Sequence, residues 1–221
     1  MNLTAELIPF WLNLACLPLF IAVIGWNIWG SPWALLKQNH LHPLFSLTIG
    51  LLTGLWLLKA GGHEGLEFHL LGLTTVVLIF GWRLAIVAGA SALFLQAVIG
   101  LHDWVTLGIS GLVGVVIPVL LADRLHRVIY RWLPKHFFIY VMAAAHFSSM
   151  VVIGVVILIG GILLWALGVH PLDRVLGDYL VFMPLVLIPE GFLNGAIMTL
   201  LIILRPEWVR SFDDRDYIDG K

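Results

Sequence analysis

Two histidines and two glutamates lie within seven residues of one another in the segment 61–72, in a chain of which only 11% of residues are charged. These residues are His63, Glu64, Glu67 and His69. Imidazole nitrogens and carboxylate oxygens are groups that bind divalent metals. In a membrane protein such a cluster must lie in water, pair internally, or hold a ligand. The segment therefore predicts a site that captures a cation.

The predicted ligands are the side chains of this segment together with the nearest imidazole of the next outer loop. Imidazole-rich sites suit Ni, Co, Cu or Zn better than Mg or Ca. If residues 63–69 open a helix, His63 and Glu67 lie four residues apart on one face. Ion binding should weaken as the pH falls through the histidine range at about 6.5. We predict as metal ligands His63, Glu67, His69 and His102, supported by Glu64, Gln96, Asp103, His146 and Glu190.

The cluster at 63–69 and Glu190 each have an alternative explanation that involves no ligand. Acidic residues populate outer loops simply because basic residues are excluded from them, which would leave the cluster without a ligand. Glu190 follows Pro184 and Pro189, which each remove a helix hydrogen bond and should break or kink the helix. Glu190 is then either part of a hinge or support for the site, or a structural group bonded to freed backbone amides or to His146.

The composition indicates an integral membrane protein. Hydrophobic residues make up 61% of the 221 residues, and the mean hydropathy is +1.02, whereas the apolar share of a soluble domain is about half. A bilayer crossing needs roughly 20 apolar residues. The chain is therefore predicted to be a single integral membrane domain over 1–221, an all-α polytopic bundle with about seven spans, at 7–29, 42–59, 68–82, 83–100, 104–121, 137–167 and 178–204.

The basic residues predict the orientation of the bundle. With the N-terminus outside, the inner segments carry ten Lys or Arg residues and the outer ones carry only Lys59 and Arg174. This asymmetry follows the positive-inside rule. The seven spans then place the C-terminus in the cytoplasm, the segment 61–72 on the outer face, and the protein in the inner (plasma) membrane.

Several motifs are absent from the sequence, and their absence restricts the function. The chain has no G-x-x-x-x-G-K-[ST] loop for ATP hydrolysis, no H-E-x-x-H helix, no G-x-S-x-G elbow and no nucleic-acid-binding module. Its single cysteine, Cys16, excludes a Cys-based zinc site within one chain. We expect a transport subunit without enzymatic activity or a permanent cofactor. The alternatives are a membrane redox or enzyme subunit using the histidines, and an assembly subunit without a ligand.

A series of short motifs resembles a known family. In order along the chain they are His69-Leu70-Leu71-Gly72, Phe94-Leu95-Gln96-Ala97, Leu107-Gly108, Val115-Val116-Ile117-Pro118 and Pro189-Glu190-Gly191. Their order is similar to that in the cobalt/nickel substrate-capture permeases of energy-coupling-factor ABC importers, the CbiM/NikM type. The resemblance implies Co or Ni as the transported substrate. It also implies ABC ATPase subunits and a transmembrane coupling subunit as partners, besides membrane lipid.

The sequence departs from this family at its N-terminus. The family typically begins Met-His, and its terminal amine and that histidine bind the metal together with a histidine of the loop that ends in His-Leu-Leu-Gly. Residue 2 is Asn2 in this chain, so only His69 carries over from that ligand set. The resemblance therefore implies either a site rebuilt from loop residues or a changed substrate.

Overall fold

The fold is a bundle of helices. The computed structural model describes residues 7–37, 41–61, 67–213 and 217. The helices of these ranges are α1 (Phe10–Gly30), α2 (Trp33–Lys37), α3 (Leu41–Leu55), α4 (Leu73–Phe80), α5 (Trp82–Val98), α6 (Trp104–Trp132), α7 (Phe137–Ala166) and α8 (Leu172–Leu204). The last three are continuous runs that include π-helical stretches, at Leu112–Val116, Tyr140–Phe147 and Val175–Tyr179.

The length and apolarity of several of these helices agree with those of membrane-spanning helices. Among the described residues, four helices are long and apolar enough to cross a bilayer, namely α1, α6, α7 and α8. Helices α3 and α5 are apolar but shorter, with 15 and 17 residues. The predicted all-α polytopic bundle is thus confirmed.

The third predicted span is much shorter than the sequence indicates. Within 68–82 only α4 is helical, and its eight residues rise about 12 Å, well short of a hydrocarbon core of about 30 Å. Gly81 ends the helix with φ +84°, a conformation that L side chains rarely adopt, and α5 begins at the next residue. The predicted separation of two helices at this glycine is correct. Since all eight residues of α4 are buried, the bundle packs around this short helix.

The last helix is not broken at its second proline. Within α8, an α-helical stretch runs from Met183 to Leu204 and continues through Pro189. Pro184 lies in the first turn of this stretch, where its missing N–H costs nothing. The irregular stretch instead precedes Met183, as the π turn of Val175–Tyr179 and a 3-10 turn at Leu180–Phe182. Of the predicted break or kink, the break at Pro189 is therefore wrong, and the kink stays a prediction.

Close contact between α1 and α6 depends on small residues. A Cβ atom added to Gly108 would lie 2.4 Å from the backbone nitrogen of Leu17, and one added to Gly111 would lie 2.1 Å from the ring of Phe20. Glycine removes the side chain that would keep two helices apart, as expected in a lipid environment. These two positions bring α6, which carries part of the candidate site, against the first helix.

Candidate metal-binding site

Residues 67–72, here called the His69 loop, are joined to the end of the preceding helical region by a pair of backbone hydrogen bonds at Phe68. The N–H of Ala60 donates to the carbonyl of Phe68 at 2.9 Å, and the N–H of Phe68 donates back at 2.7 Å. The Phe68 ring stacks on Tyr179 of α8, with centroids 4.5 Å apart. Residues 67–72 are not helical and α4 begins at Leu73, so the predicted helical start of the segment is wrong over its described part.

A hydrogen bond determines which ring nitrogen of His69 carries the proton and which keeps its lone pair. Its Nδ1 lies 3.1 Å from the carbonyl oxygen of Leu70. Because a carbonyl only accepts hydrogen bonds, Nδ1 carries the proton and Nε2 keeps the lone pair. A backbone hydrogen bond of this kind sets the tautomer of histidine ligands in metal sites. The ring packs beside Trp56, whose indole N–H donates to the Leu71 carbonyl at 3.0 Å.

His69 shares a small cavity with polar residues from four other parts of the fold. The cavity has a volume of about 30 Å³, enough for one water molecule or one ion. Its polar lining consists of Lys59 after α3, His69, Gln96 of α5, His102 of the α5–α6 loop and Ser110 of α6. The fold thus brings three of the predicted residues, His69, Gln96 and His102, into the lining of one cavity.

Two neutral polar groups complete the lining of this cavity. The amide nitrogen of Gln96 donates to the Thr53 carbonyl of α3 at 3.2 Å, which holds the side chain in place. The hydroxyl of Ser110 is buried and, within the described part of the chain, has no hydrogen-bond partner. A buried hydroxyl without a partner is costly, so a ligand or water in the cavity would relieve that cost. Sequence reasoning missed Ser110 because a serine between small residues of an apolar helix has no distinguishing pattern.

Both histidines of the cavity are held in the neutral form. Burial lowers the pKa of His69 well below its ordinary value. Burial, with help from the positive charge of Lys59, lowers the pKa of His102 to about 4. A metal binds the neutral imidazole, so protons compete for these nitrogens only at a lower pH than the sequence analysis predicts.

A positive charge and a negative charge lie at the edge of the site. The ammonium group of Lys59 lies 3.9 Å from Oε2 of Glu67. Lys59 lines the cavity, whereas Glu67 is not part of its lining. The predicted ligand Glu67 is therefore engaged with a lysine, and the nearby cation opposes the binding of another cation. The local sequence pattern predicts neither the ion pair of Lys59 with Glu67 nor the place of Lys59 in the cavity lining.

Helix α8 holds the His69 loop against the start of α4. The carboxylate of Glu190 accepts the N–H of Leu71 at 2.8 Å and the N–H of Gly72 at 2.9 Å. Asn194 donates to the same carboxylate at 2.9 Å, and its oxygen accepts the N–H and the hydroxyl of Thr75. The first amides of a helix lack partners within it and favour negative charge. Glu190 and Asn194 therefore cap α4 from another helix and position the His69 loop, which ends at Gly72.

The remaining predicted residues are placed differently. Asp103 follows His102, and its charge acts to raise the pKa of that histidine. His146 packs against Gly191 and Gly195 of α8, where added Cβ atoms would lie 3.2 and 3.3 Å from it, and it does not line the cavity. His63 and Glu64 lie outside the described residues. Over the described ranges, no three His, Cys, Asp or Glu side chains form a group that could hold a metal ion by themselves.

The fold and the cavity define a multi-pass membrane protein with a small cavity lined by two histidines. The chain belongs to the CbiM family, described as the cobalt uptake substrate-specific transmembrane region, whose model matches residues 2–208. It is thus a member of a transmembrane metal-uptake family, as its motifs predicted. No curated protein sequence matches the chain.

Two solved structures share the fold of this chain. A crystal structure described as a transition metal transporter superimposes with a TM-score of 0.76 at 13% sequence identity, over 92% of this chain and 93% of that one. A truncated transition metal transporter superimposes with a TM-score of 0.79 at 14% identity, over 92% of this chain and 99% of that one. At such low identity the likeness concerns the fold alone.

Proposed function

We propose that this chain is the substrate-capture subunit of an energy-coupling-factor ABC importer that takes up Co or Ni in the plasma membrane. The observation that carries the proposal is that His69 and His102, from two different loops, line one small cavity in their neutral forms. Neutral imidazole nitrogens bind Co and Ni more readily than they bind Mg or Ca. Membership of the cobalt-uptake family supports the same substrate class.

His69 is the central ligand in this proposal. Its Nε2 holds the free lone pair, and its loop is tied to α8 through the carboxylate of Glu190. His102 is the second ligand, and the cavity-lining Gln96 orients them or an ion-bound water. In this proposal His63 and Glu67 of the segment 61–72 supply the remaining donors, and Glu64 supports them.

The proposed transport cycle needs partner subunits. The sequence contains no ATP-hydrolysing loop, so energy must come from separate ABC ATPase subunits acting through a transmembrane coupling subunit. In this scheme the captured ion is a substrate that leaves the protein, and no resident cofactor is required. With the N-terminus outside, the His69 loop faces the side from which the ion enters.

Isothermal calorimetry with Co, Ni and Zn tests the proposal. The His69→Ala protein should bind Co and Ni at least about tenfold more weakly than the parent, since it loses a metal–ligand bond. The His102→Ala protein should show a smaller loss. His42→Ala is the matched control, because His42 is an exposed histidine at the start of α3. Equal affinities in all four proteins, or no binding to the parent, would refute the metal site.

A further inference from the structure

A second polar cavity lies at the end of α4 opposite to the His69 loop. It has a volume of about 600 Å³ and lies between the α4–α5 junction, α6 and the segment that follows α8. The segment that follows α8 is hydrogen-bonded to the C-terminal end of α4. The N–H of Arg210 donates to the Ile79 carbonyl at 3.2 Å, and the N–H of Ser211 donates to the Leu78 carbonyl at 3.1 Å. We call this cavity the arginine cleft.

Two guanidinium groups line the arginine cleft. Arg83 lies over the rings of Trp26 and Trp82, at 5.1 and 4.9 Å from their centroids. Arg210 donates one hydrogen bond from its side chain, to the Phe80 carbonyl at 3.3 Å. A guanidinium has five N–H donors, so both groups retain donors that can face the cleft.

The remaining ionisable groups do not cancel this positive charge. Among the described residues, Asp123 is the one carboxylate in the lining, and it is already bound by Arg127 from the next turn of α6. His126 also lines the cleft, and its Nδ1 is buried without a hydrogen-bond partner in the described part of the chain. The Ser211 hydroxyl lies at the same wall, where it already donates to the Leu78 carbonyl at 2.7 Å. Counted over the residues that the structure describes, the two guanidinium groups give the cleft an excess of donors and of positive charge.

We propose that the arginine cleft binds a phosphate group. The planar fork of arginine matches the oxygens of a phosphate and binds them bidentately. Trp26 and Trp82 are tryptophans of the kind found at the membrane–water interface, which is where phospholipid headgroups lie. Basic pockets between transmembrane helices are known to hold anionic headgroups. An anionic phospholipid and a soluble phosphate offer the same chemistry, and only a binding experiment separates them.

The proposal has a structural consequence for α4. Arg210 and Ser211 cap the carbonyl end of α4, whereas Glu190 caps its amide end beside the His69 loop. A phosphate bound to Arg210 would hold the capping segment in place. Lipid or phosphate bound in the cleft should therefore stabilise the whole protein against heat, independently of any metal.

The test uses the delipidated full chain in detergent and is carried out without Co or Ni. Native mass spectrometry measures binding of phosphatidylglycerol, with diacylglycerol, which lacks the phosphate, as the uncharged comparison and inorganic phosphate as the soluble competitor. Arg83→Gln should bind phosphatidylglycerol about tenfold more weakly than the parent, as expected for losing hydrogen bonds to a charged group. Arg124→Gln is the matched control, because Arg124 is exposed on α6 and lines neither cavity.

A gain-of-affinity variant keeps the test decisive if Arg83→Gln is unstable. Asp123→Asn removes the carboxylate that lines the described part of the cleft and should strengthen phosphatidylglycerol binding, a result that misfolding cannot produce. Displacement of the lipid by inorganic phosphate would support a site for a soluble phosphate, and binding of lipid without such competition would support a headgroup site. Equal binding of phosphatidylglycerol and diacylglycerol, or affinities unchanged in both variants, would overturn the proposal. Neither outcome bears on metal binding at His69.

Discussion

The carboxylate of Glu190 and the backbone of Leu71 are joined by a 2.8 Å hydrogen bond across 119 residues of sequence. Gly72 donates to the other oxygen of the same carboxylate, and Asn194 donates to that oxygen as well. Three N–H groups therefore point at two oxygens that act only as acceptors, as an ionised carboxylate does. This contact fixes where the His69 loop ends and α4 begins.

Replacing Glu190 should destabilise the protein in a graded way. Glu190→Leu leaves three N–H groups unpaired in the interior, at a cost of about 1–3 kcal/mol for each. Glu190→Gln retains one acceptor oxygen but turns an NH₂ toward a donor, so it should lose about 1–3 kcal/mol. Thermal unfolding in detergent measures both, and Glu207→Gln serves as an exposed control with little expected effect.

The transport activity of the Glu190→Gln protein separates a positioning role from a direct one. If this glutamate only positions the His69 loop, the variant should transport more slowly in proportion to its weaker Co binding. A variant that folds and binds Co like the parent but fails to transport would show that Glu190 acts in the transport step itself.

The metal-free protein should keep His102 neutral down to acidic pH. Its pKa of about 4 lies below the ordinary value of about 6.5 that the unfolded chain has. Between these values the unfolded chain binds one more proton at this site, so stability falls as the pH is lowered from 6.5 toward 4. The NMR signals of the His102 ring, identified by their loss in the His102→Ala protein, should show no titration near pH 6.5. A titration midpoint of these signals near 6.5 would contradict the buried placement of the ring.

Removing the positive charge of Lys59 should strengthen cation binding. Lys59 lines the cavity with His69 and His102, and its ammonium opposes a divalent ion through Coulomb repulsion. Lys59→Gln also releases Glu67 from its ion pair. We expect Co affinity to rise about three- to tenfold in calorimetry. Lys135→Gln, in the α6–α7 connection, should leave the affinity unchanged, and weaker binding by the Lys59 variant would show that the lysine supports the site.

The contact between α1 and α6 predicts a strong difference between two glycines. Gly108→Ala places a methyl group 2.4 Å from the backbone of Leu17, so the helices must separate, at a cost of about 1–3 kcal/mol. Gly25→Ala has nothing within 4 Å and should be neutral or slightly stabilising, since alanine is the better helix former. Thermal unfolding of the two variants compares them directly, and equal stabilities would contradict this packing.

The orientation of the bundle is tested by reporter fusions. A reporter that is active in the cytoplasm should work after Lys221, and one inserted near Gly65 should be reached only from outside. The ten basic residues assigned to the inner segments are the reason for this expectation. The opposite result would remove the His69 loop from the side of ion entry.

Much of the fold was predictable because it depends on local composition. Apolar runs long enough to span a bilayer must become helices, since lipid offers no partner for backbone groups. The break at Gly81 was equally local, because it rests on one residue able to adopt positive φ. His69 could be placed in the site from its neighbours in sequence, and Gln96 and His102 from their polarity in an apolar chain.

The rest depended on contacts between residues far apart in the chain. Apolarity alone could not show that α4 is only eight residues long, because its ends are decided by Glu190 and Asn194 on one side and by Arg210 and Ser211 on the other. The cavity likewise exists only where α3, α5 and α6 meet, which is why Ser110 and Lys59 were not foreseen as part of it. Sequence determines which segments enter the membrane and which carry ligands, because both are properties of short stretches. Only the tertiary structure decides which polar groups meet, because hydrogen bonds and charges act over a few ångströms regardless of separation along the chain.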